Sequence, residues 1–190
     1  MTKQQLRHLY KQKRLDLSPS QQLKLDDLLL IQFQRLALPE KMQTLLSYWP
    51  IEKFREVNTY LYTRYLQFAI PNLQLAYPVV DGDGMKAVLT DDDTEFVENM
   101  YGIPEPVEHE TNVLLPKDID LIFVPLLAFD NNGFRVGYGK GYYDRFFPQC
   151  RANICKVGFS YFHPVDKIDD THHYDVSLNY CITPERIYEF

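Results

Sequence analysis

The chain has 190 residues, 45% of them hydrophobic, with 26 acidic against 20 basic side chains and a net charge of −6. That is enough apolar matter for the core of one ordinary globular domain, and the acidic balance argues against a dedicated nucleic-acid binder. No apolar run is long enough to cross a bilayer, the start Met-Thr-Lys-Gln-Gln-Leu-Arg-His lacks a signal peptide's apolar region, and Cys150, Cys155 and Cys181 form no Cys-x-x-Cys pair, so the reading is a cytoplasmic protein with reduced thiols.

Lys3 to Leu15 is predicted as a helix, with Leu6, Leu9 and Tyr10 apolar at helical spacing. Lys3, Arg7, Lys11 and Arg14 recur on the same spacings. Such a stripe is either a solvated face or, if Lys3 and Arg7 fold back, a hold on a polyphosphate. Ser18-Pro19 marks the start of a second helix, expected to run to about Leu38 with Leu23, Leu28, Leu30, Ile31 and Phe33 on its buried side. Pro39 ends it. A strand is expected over Thr44–Trp49, stopped by Pro50, and a helix over Val57–Ala69 with Asn58 or Thr59 near its cap. Glu56 falls at this strand-to-helix junction, where α/β enzymes place ligand contacts. The alternative is an acid favoured there by the helix dipole alone.

Gln74–Val80 and Met85–Leu89 read as paired strands joined by the turn Asp81-Gly-Asp-Gly84. Asp81 and Asp83 lack the further ligands and the late Glu of a calcium loop. Phe96–Tyr101 is a short strand or turn, and Gly102–Pro106 is extended because each proline disfavours helix in its predecessor. Asp120–Val124 is a buried strand. Asn153–Phe159 is another, carried to a sheet edge by Gly158–Phe162, and Cys181–Thr183 closes the sheet. His172 and His173 stand near Asp175, but neighbours on an extended segment point opposite ways, which disfavours a zinc site. An Asp175 carboxylate near Mg²⁺ suits the chemistry better. Strands alternating with helices predict an α/β fold: a single domain over residues 1–190, a three-layer sandwich with a Rossmann-like, mostly parallel sheet flanked by helices.

The densest chemistry lies in Phe129-Asp-Asn-Asn-Gly-Phe-Arg-Val-Gly-Tyr-Gly-Lys-Gly-Tyr-Tyr-Asp-Arg145, which holds four of the eight glycines. Glycines at 137, 139 and 141 permit positive φ and close backbone approach, so successive N–H groups can form an anion nest. A helix starting near Tyr142 would add its positive dipole end, and Arg135 and Lys140 add formal charge. Asp144 is placed to hold Mg²⁺ over β- and γ-phosphates. Gly141 stands where a Walker A loop requires Ser or Thr, and the G-x-G-x-G spacing is not the dinucleotide fingerprint. A purely structural glycine turn is the bland alternative.

Arg135-Val-Gly-Tyr-Gly-Lys-Gly-Tyr-Tyr-Asp-Arg145 closely resembles the signature of 5-formyltetrahydrofolate cyclo-ligases, also called 5,10-methenyltetrahydrofolate synthetases. Lys3-Gln-Gln-Leu-Arg7, Glu56-Val-Asn-Thr59, Tyr101-Gly-Ile-Pro-Glu-Pro106, Asp120-Leu-Ile-Phe-Val-Pro125, Asp175 and Ile182-Thr-Pro-Glu185 are similar to family segments in the same order. Asn58 replaces the usual Asp, and the loop from Pro50 to Arg55 is longer than usual. The resemblance implies a fold like that of sugar-phosphate isomerases and CoA transferases, and an ATP- and Mg²⁺-dependent conversion of 5-formyltetrahydrofolate to 5,10-methenyltetrahydrofolate. Lys3 and Arg7 would then hold ATP phosphates. Arg135, Gly137, Tyr138, Gly139, Lys140, Gly141, Tyr142 and Tyr143 would cradle the triphosphate, with Lys140 and Arg135 as the catalytic charges. Asp144 and Asp175 would serve Mg²⁺. Glu56 would take the pterin N–H donors, Tyr138 and Tyr143 would contact folate, and Tyr48, Trp49 and Tyr101 are stacking candidates. The implied partners are 5-formyltetrahydrofolate and ATP, with no nucleic acid or membrane, and a monomer is expected. Two other readings stay open: a sugar-phosphate isomerase- or CoA transferase-like enzyme, and a folate- or nucleotide-binding module without turnover.

Overall fold

The computed structural model describes residues 1–190. Thr2 and Gln5 form a capping box at the start of α1 (Lys3–Leu15). Ser18 and Gln21 form another at α2 (Pro19–Phe33), where Pro19 fits the first turn. Helix α2 stops at Phe33, short of Leu38. Its buried side is Asp26, Leu29 and Phe33, while Leu23 and Ile31 are exposed. The segment is apolar nearly all round, so periodicity names no face. Asp26 does, because the Tyr161 hydroxyl donates to it at 2.7 Å and the Asn58 N–H at 3.3 Å.

The chain continues through β1 (Thr44–Leu46), α3 (Thr59–Ala69, capped by Asn58), β2 (Gln74–Asp81) and β3 (Gly84–Thr90). Then come β4 (Phe96–Glu98), β5 (Pro104–Pro106), β6 (Val113–Leu114), β7 (Leu121–Val124), β8 (Ala128–Phe129) and β9 (Arg135–Val136). The chain ends with α4 (Tyr142–Phe146), β10 (Cys155–Phe159), β11 (Tyr180–Ile182) and β12 (Ile187–Glu189). No helix is long and apolar enough to cross a membrane.

Eight strands form the main sheet in the order β12-β11-β10-β7-β1-β2-β3-β6. The run from β11 to β2 is parallel throughout, and β3, β6 and β12 add antiparallel edges. Two expectations change here. Strand β10 lies inside the sheet and is not carried to an edge, and the unforeseen β12 covers β11 after Cys181–Thr183. Pairs β4/β5 and β8/β9 form separate ribbons.

Successive strand residues serve opposite faces. Leu45, Leu121 and Phe123 pack with Leu29 and Phe33 of α2 and Tyr62 and Leu66 of α3. Leu46, Ile122 and Val124 pack with Phe146 of α4 and with Phe147. These are the two outer layers of the sandwich. Helix α1 sets Leu6 and Tyr10 against Leu127, Ala128, Val136 and Ile168, which brings its basic stripe beside the glycine stretch. Strand β1 has β2 on one side and β7 on the other, so a crevice opens beyond the carboxyl ends of β1 and β7 where the strand order reverses.

Candidate active site

Around those carboxyl ends lies a cleft of about 550 Å³. Every residue expected at the site lines it, from Lys3 and Arg7 through Glu56 to Asp144 and Asp175. Helix α1 and the glycine stretch form two walls, the segment after β1 a third, and the β4/β5 ribbon with Asn99 and Tyr101 the rim.

Gly139 and Gly141 adopt φ of 95° and 71°, a region that favours glycine. Gly137, contrary to expectation, has no positive φ; its carbonyl accepts the Arg7 Nε–H at 2.8 Å. A Cβ at Gly139 would sit 3.3 Å from Arg7 Cζ, so loop and helix are pressed together. Helix α4 has only five residues, so its dipole adds little to the field at this end of the cleft and formal charges dominate. Lys140 is exposed, with its ammonium 5.5 Å from the Tyr101 ring centroid. Arg135 donates to Asp144 Oδ1 at 3.0 Å and to the Val176 carbonyl at 2.7 Å. Lys3 donates to both oxygens of Asp175. Partial burial pushes the Asp175 carboxyl up, but the Lys3 and His172 N–H bonds outweigh it and hold the carboxyl below its ordinary value.

Asp144 and Asp175 offer the hard oxygen donors that Mg²⁺ prefers, and each is neutralised by a cation of the same cleft. No three His, Cys, Asp or Glu side chains converge on a metal-sized position. A divalent ion here would take its remaining ligands from water and phosphate oxygens.

The opposite end of the cleft is aromatic around one buried carboxylate. Glu56 accepts from the Tyr138 hydroxyl at 2.5 Å and from the Ile51 N–H at 2.7 Å. Burial raises its carboxyl, and Arg14, Tyr138 and the Ile51 N–H pull it only part of the way back, so it stays above its ordinary value. Arg14 corrects the sequence reading: the stripe is no uniformly solvated face, because its last member is buried at this site. Phe54 was also missed. Its ring stacks on Tyr138 with centroids 5.7 Å apart, and the ammonium groups of Lys11 and Lys53 flank it at 4.9 and 5.4 Å. It lies in the longer Pro50–Arg55 loop, and that extra length was the one available signal. Trp49 stacks on Tyr77 at 4.6 Å, and its indole N–H is buried with no partner. The Tyr143 hydroxyl is likewise buried and unpartnered, Tyr48 is buried, and Tyr101 is exposed at the mouth.

The cleft thus has a cationic end made by Lys3, Arg7, Arg135 and Lys140, and an aromatic end with one buried carboxylate, Glu56, while the half-buried Glu105 lines the rim. One loop spans both, since Tyr138 and Lys140 are two residues apart. Such a cleft suits a polyanion and a flat heterocycle held side by side. None of the three cysteines lines it, and burial pushes the Cys150 and Cys155 thiols up to about 11, which makes them poor nucleophiles.

The sequence model of the 5-formyltetrahydrofolate cyclo-ligase family matches residues 1–184. The chain belongs to this family. A cyclo-ligase of Mycoplasma pneumoniae is 38% identical over 80 residues, which is 42% of this chain and 48% of that protein. One from Haemophilus influenzae is 37% identical over 89 residues, covering 45% of this chain and 46% of that protein. In these alignments the chain spans about half the length of the curated relatives it matches. The NMR structure of 5,10-methenyltetrahydrofolate synthetase from Aquifex aeolicus superposes with a TM-score of 0.79 at 30% identity, covering 100% of this chain and 93% of that one. The 5,10-methenyltetrahydrofolate synthetase of Mycoplasma pneumoniae gives 0.74 at 28% identity, covering 97% and 99%. These whole-chain likenesses bear out the α/β fold read from the sequence.

Proposed function

We propose that the protein converts 5-formyltetrahydrofolate and ATP to 5,10-methenyltetrahydrofolate, ADP and phosphate. The observation that carries this reading is the single loop, Gly137 to Tyr143, shared by the cationic and aromatic ends of one cleft. It suits a reaction in which a phosphoryl group passes to an atom of a flat heterocycle. Family membership and the named relatives support the same reading.

The formyl oxygen is a poor leaving group. Transfer of the γ-phosphoryl group to it breaks the bond to the β-phosphate oxygen and gives an N5-iminium phosphate and ADP. N10 then attacks the activated carbon, the C–O bond breaks, phosphate leaves and N10 loses its proton. The protein's share is positioning and electrostatics. Lys3, Arg7 and the Gly139–Gly141 backbone hold the triphosphate. Lys140 and Arg135 offset charge that develops on the transferring group. Glu56 accepts the pterin's N–H donors, a matched pair for a carboxylate, and Phe54, Tyr138, Trp49 and Tyr101 supply the flat walls. Asp144 and Asp175 would hold Mg²⁺, which when bound neutralises phosphate charge. The three free thiols support a reducing, cytoplasmic setting.

The test is formation of methenyltetrahydrofolate, followed by absorbance, from 5-formyltetrahydrofolate with and without ATP and Mg²⁺. ATP-dependent product is expected; none from pure folded protein would overturn the reading.

A further inference from the structure

The basic stripe of α1 ends in a residue that none of these ligand-facing roles uses. Arg14 is 2% exposed. A guanidinium keeps its charge in proteins, and burying it is unfavourable unless it is paired. Its Nη2 donates to the Leu126 carbonyl at 2.5 Å and its Nη1 to the Tyr138 hydroxyl at 3.4 Å, while Nε has no partner. Glu56, equally buried, has Oε1 3.9 Å from Nη1. That is beyond hydrogen-bond reach, so Arg14 acts on Glu56 as a charge and through Tyr138. The Tyr138 hydroxyl accepts from Arg14 and donates to Glu56 Oε1 at 2.5 Å. Accepting on one side fixes the direction in which it donates on the other. The remaining groups that face the carboxylate are the Ile51 N–H and the phenols of Tyr48 and Tyr143; Lys11 and Lys53 flank the Phe54–Tyr138 stack, and Arg14 is the one cation within ion-pair distance of Glu56.

We infer that Arg14 is a positioning residue for the ligand carboxylate: it keeps Glu56 an anion within an apolar wall and orients the Tyr138 hydroxyl, so that Glu56 can accept the N–H donors of a flat heterocycle. This rests on the reading of Glu56 given above. A carboxylate only accepts, whereas a protonated Glu56 would confront those donors with an O–H of its own. Burial pushes the Glu56 carboxyl up, and Arg14 is foremost among the groups that pull it down. Without Arg14 the largest of the groups that hold the carboxyl down is lost, so it rises further and a larger share of Glu56 carries a proton at a given pH.

The experiment compares wild type, Arg14→Lys, Arg14→Met, Glu56→Gln and the double variant Arg14→Met/Glu56→Gln across neutral to alkaline pH. KM and kcat for 5-formyltetrahydrofolate are measured together with ATP affinity. For Arg14→Met, KM for the folate rises about tenfold or more at neutral pH with kcat little changed, then falls back as pH rises. Arg14→Lys recovers most of the loss, and ATP affinity does not move. A KM like that of wild type, or one raised by the same factor at every pH, overturns the inference, since lost packing alone gives the latter. If Arg14→Met does not fold, the double variant removes both charges of the pair and leaves none stranded. Its folate KM then equals that of Glu56→Gln alone, and a further loss overturns the inference. If wild type binds 5-formyltetrahydrofolate without turning it over, the activity reading fails on its own, and calorimetric affinities supply the same comparison. Wild type that neither binds nor converts it sinks both.

Discussion

The Lys3 ammonium meets both carboxylate oxygens of Asp175, at 2.6 and 2.5 Å, joining residues 172 positions apart across the cationic end of the cleft. In the proposed complex both partners have other work, Lys3 on phosphate and Asp175 on a divalent ion. Lys3→Met is therefore expected to raise the KM for ATP about tenfold, the scale of one charge-assisted contact, and to leave that for the folate unchanged. Steady-state kinetics with each substrate varied in turn checks it.

Lys140 is the loop cation with least structural work. Its ammonium touches only the face of Tyr101, at 5.5 Å. Lys140→Ala should cost about 10²-fold or more in kcat with the melting temperature unchanged. An equal fall in stability and activity would mean that the side chain holds the loop together instead.

Gly139 and Gly137 separate backbone strain from mere proximity. At Gly139, φ is 95° and a Cβ would press on Arg7 Cζ at 3.3 Å. Gly139→Ala is expected to destabilise by about 1–2 kcal/mol and to weaken ATP binding by displacing Arg7. At Gly137 the nearest atom to a Cβ is the Pro125 carbonyl oxygen at 3.9 Å, so Gly137→Ala is the milder change. Urea titration with ATP affinity ranks the two.

Asp120 governs a pH effect away from the cleft. Its Oδ2 accepts the Gln43 and Thr44 N–H groups and its Oδ1 accepts from Arg151, which stitches β7 to β1. Burial pushes its carboxyl up, but these hydrogen bonds outweigh it and leave it below its ordinary value. A depressed carboxyl contributes stability above its unfolded pKa, about 3.9, and loses it as pH falls through the lower folded value. Asp120→Asn should cost about 2 kcal/mol near neutrality, and the gap from wild type should close as pH falls below about 4. A gap independent of pH in thermal unfolding would refute this.

Trp49 is the single tryptophan and lines the cleft with an unpartnered indole N–H. Binding of 5-formyltetrahydrofolate should change its fluorescence more than ATP does, since the phosphate cations lie at the other end. A titration in which ATP alone gives the larger change would place the heterocycle elsewhere.

The glycine stretch was legible because its chemistry is dense in sequence: glycines, cations and a carboxylate within a few residues. The parallel strands were legible from short apolar runs between turn residues. Arg14 was not, since charge spacing along a helix cannot show which end of a stripe is roofed by a distant segment such as Leu126. Phe54 was hidden among many aromatics in a loop without periodicity. The buried side of α2 escaped because Leu28 to Ile31 offers apolar residues in every direction, and the deciding group is a polar one, Asp26, whose partners Asn58 and Tyr161 are remote in sequence. Strand β12, three residues long after a proline turn, pairs only because β11 has an open edge.

Helix α1 carries Lys3, Arg7 and Arg14, yet its buried partners Leu127, Ala128, Val136 and Ile168 all come late in the chain. A 13-residue helix is marginal alone in water. On the ribosome α1 is made before these partners and waits, its charges uncommitted, until they follow. The cleft is therefore among the last features to assemble, and a chain ending before Asp175 lacks the carboxylate that pairs with Lys3 at its cationic end.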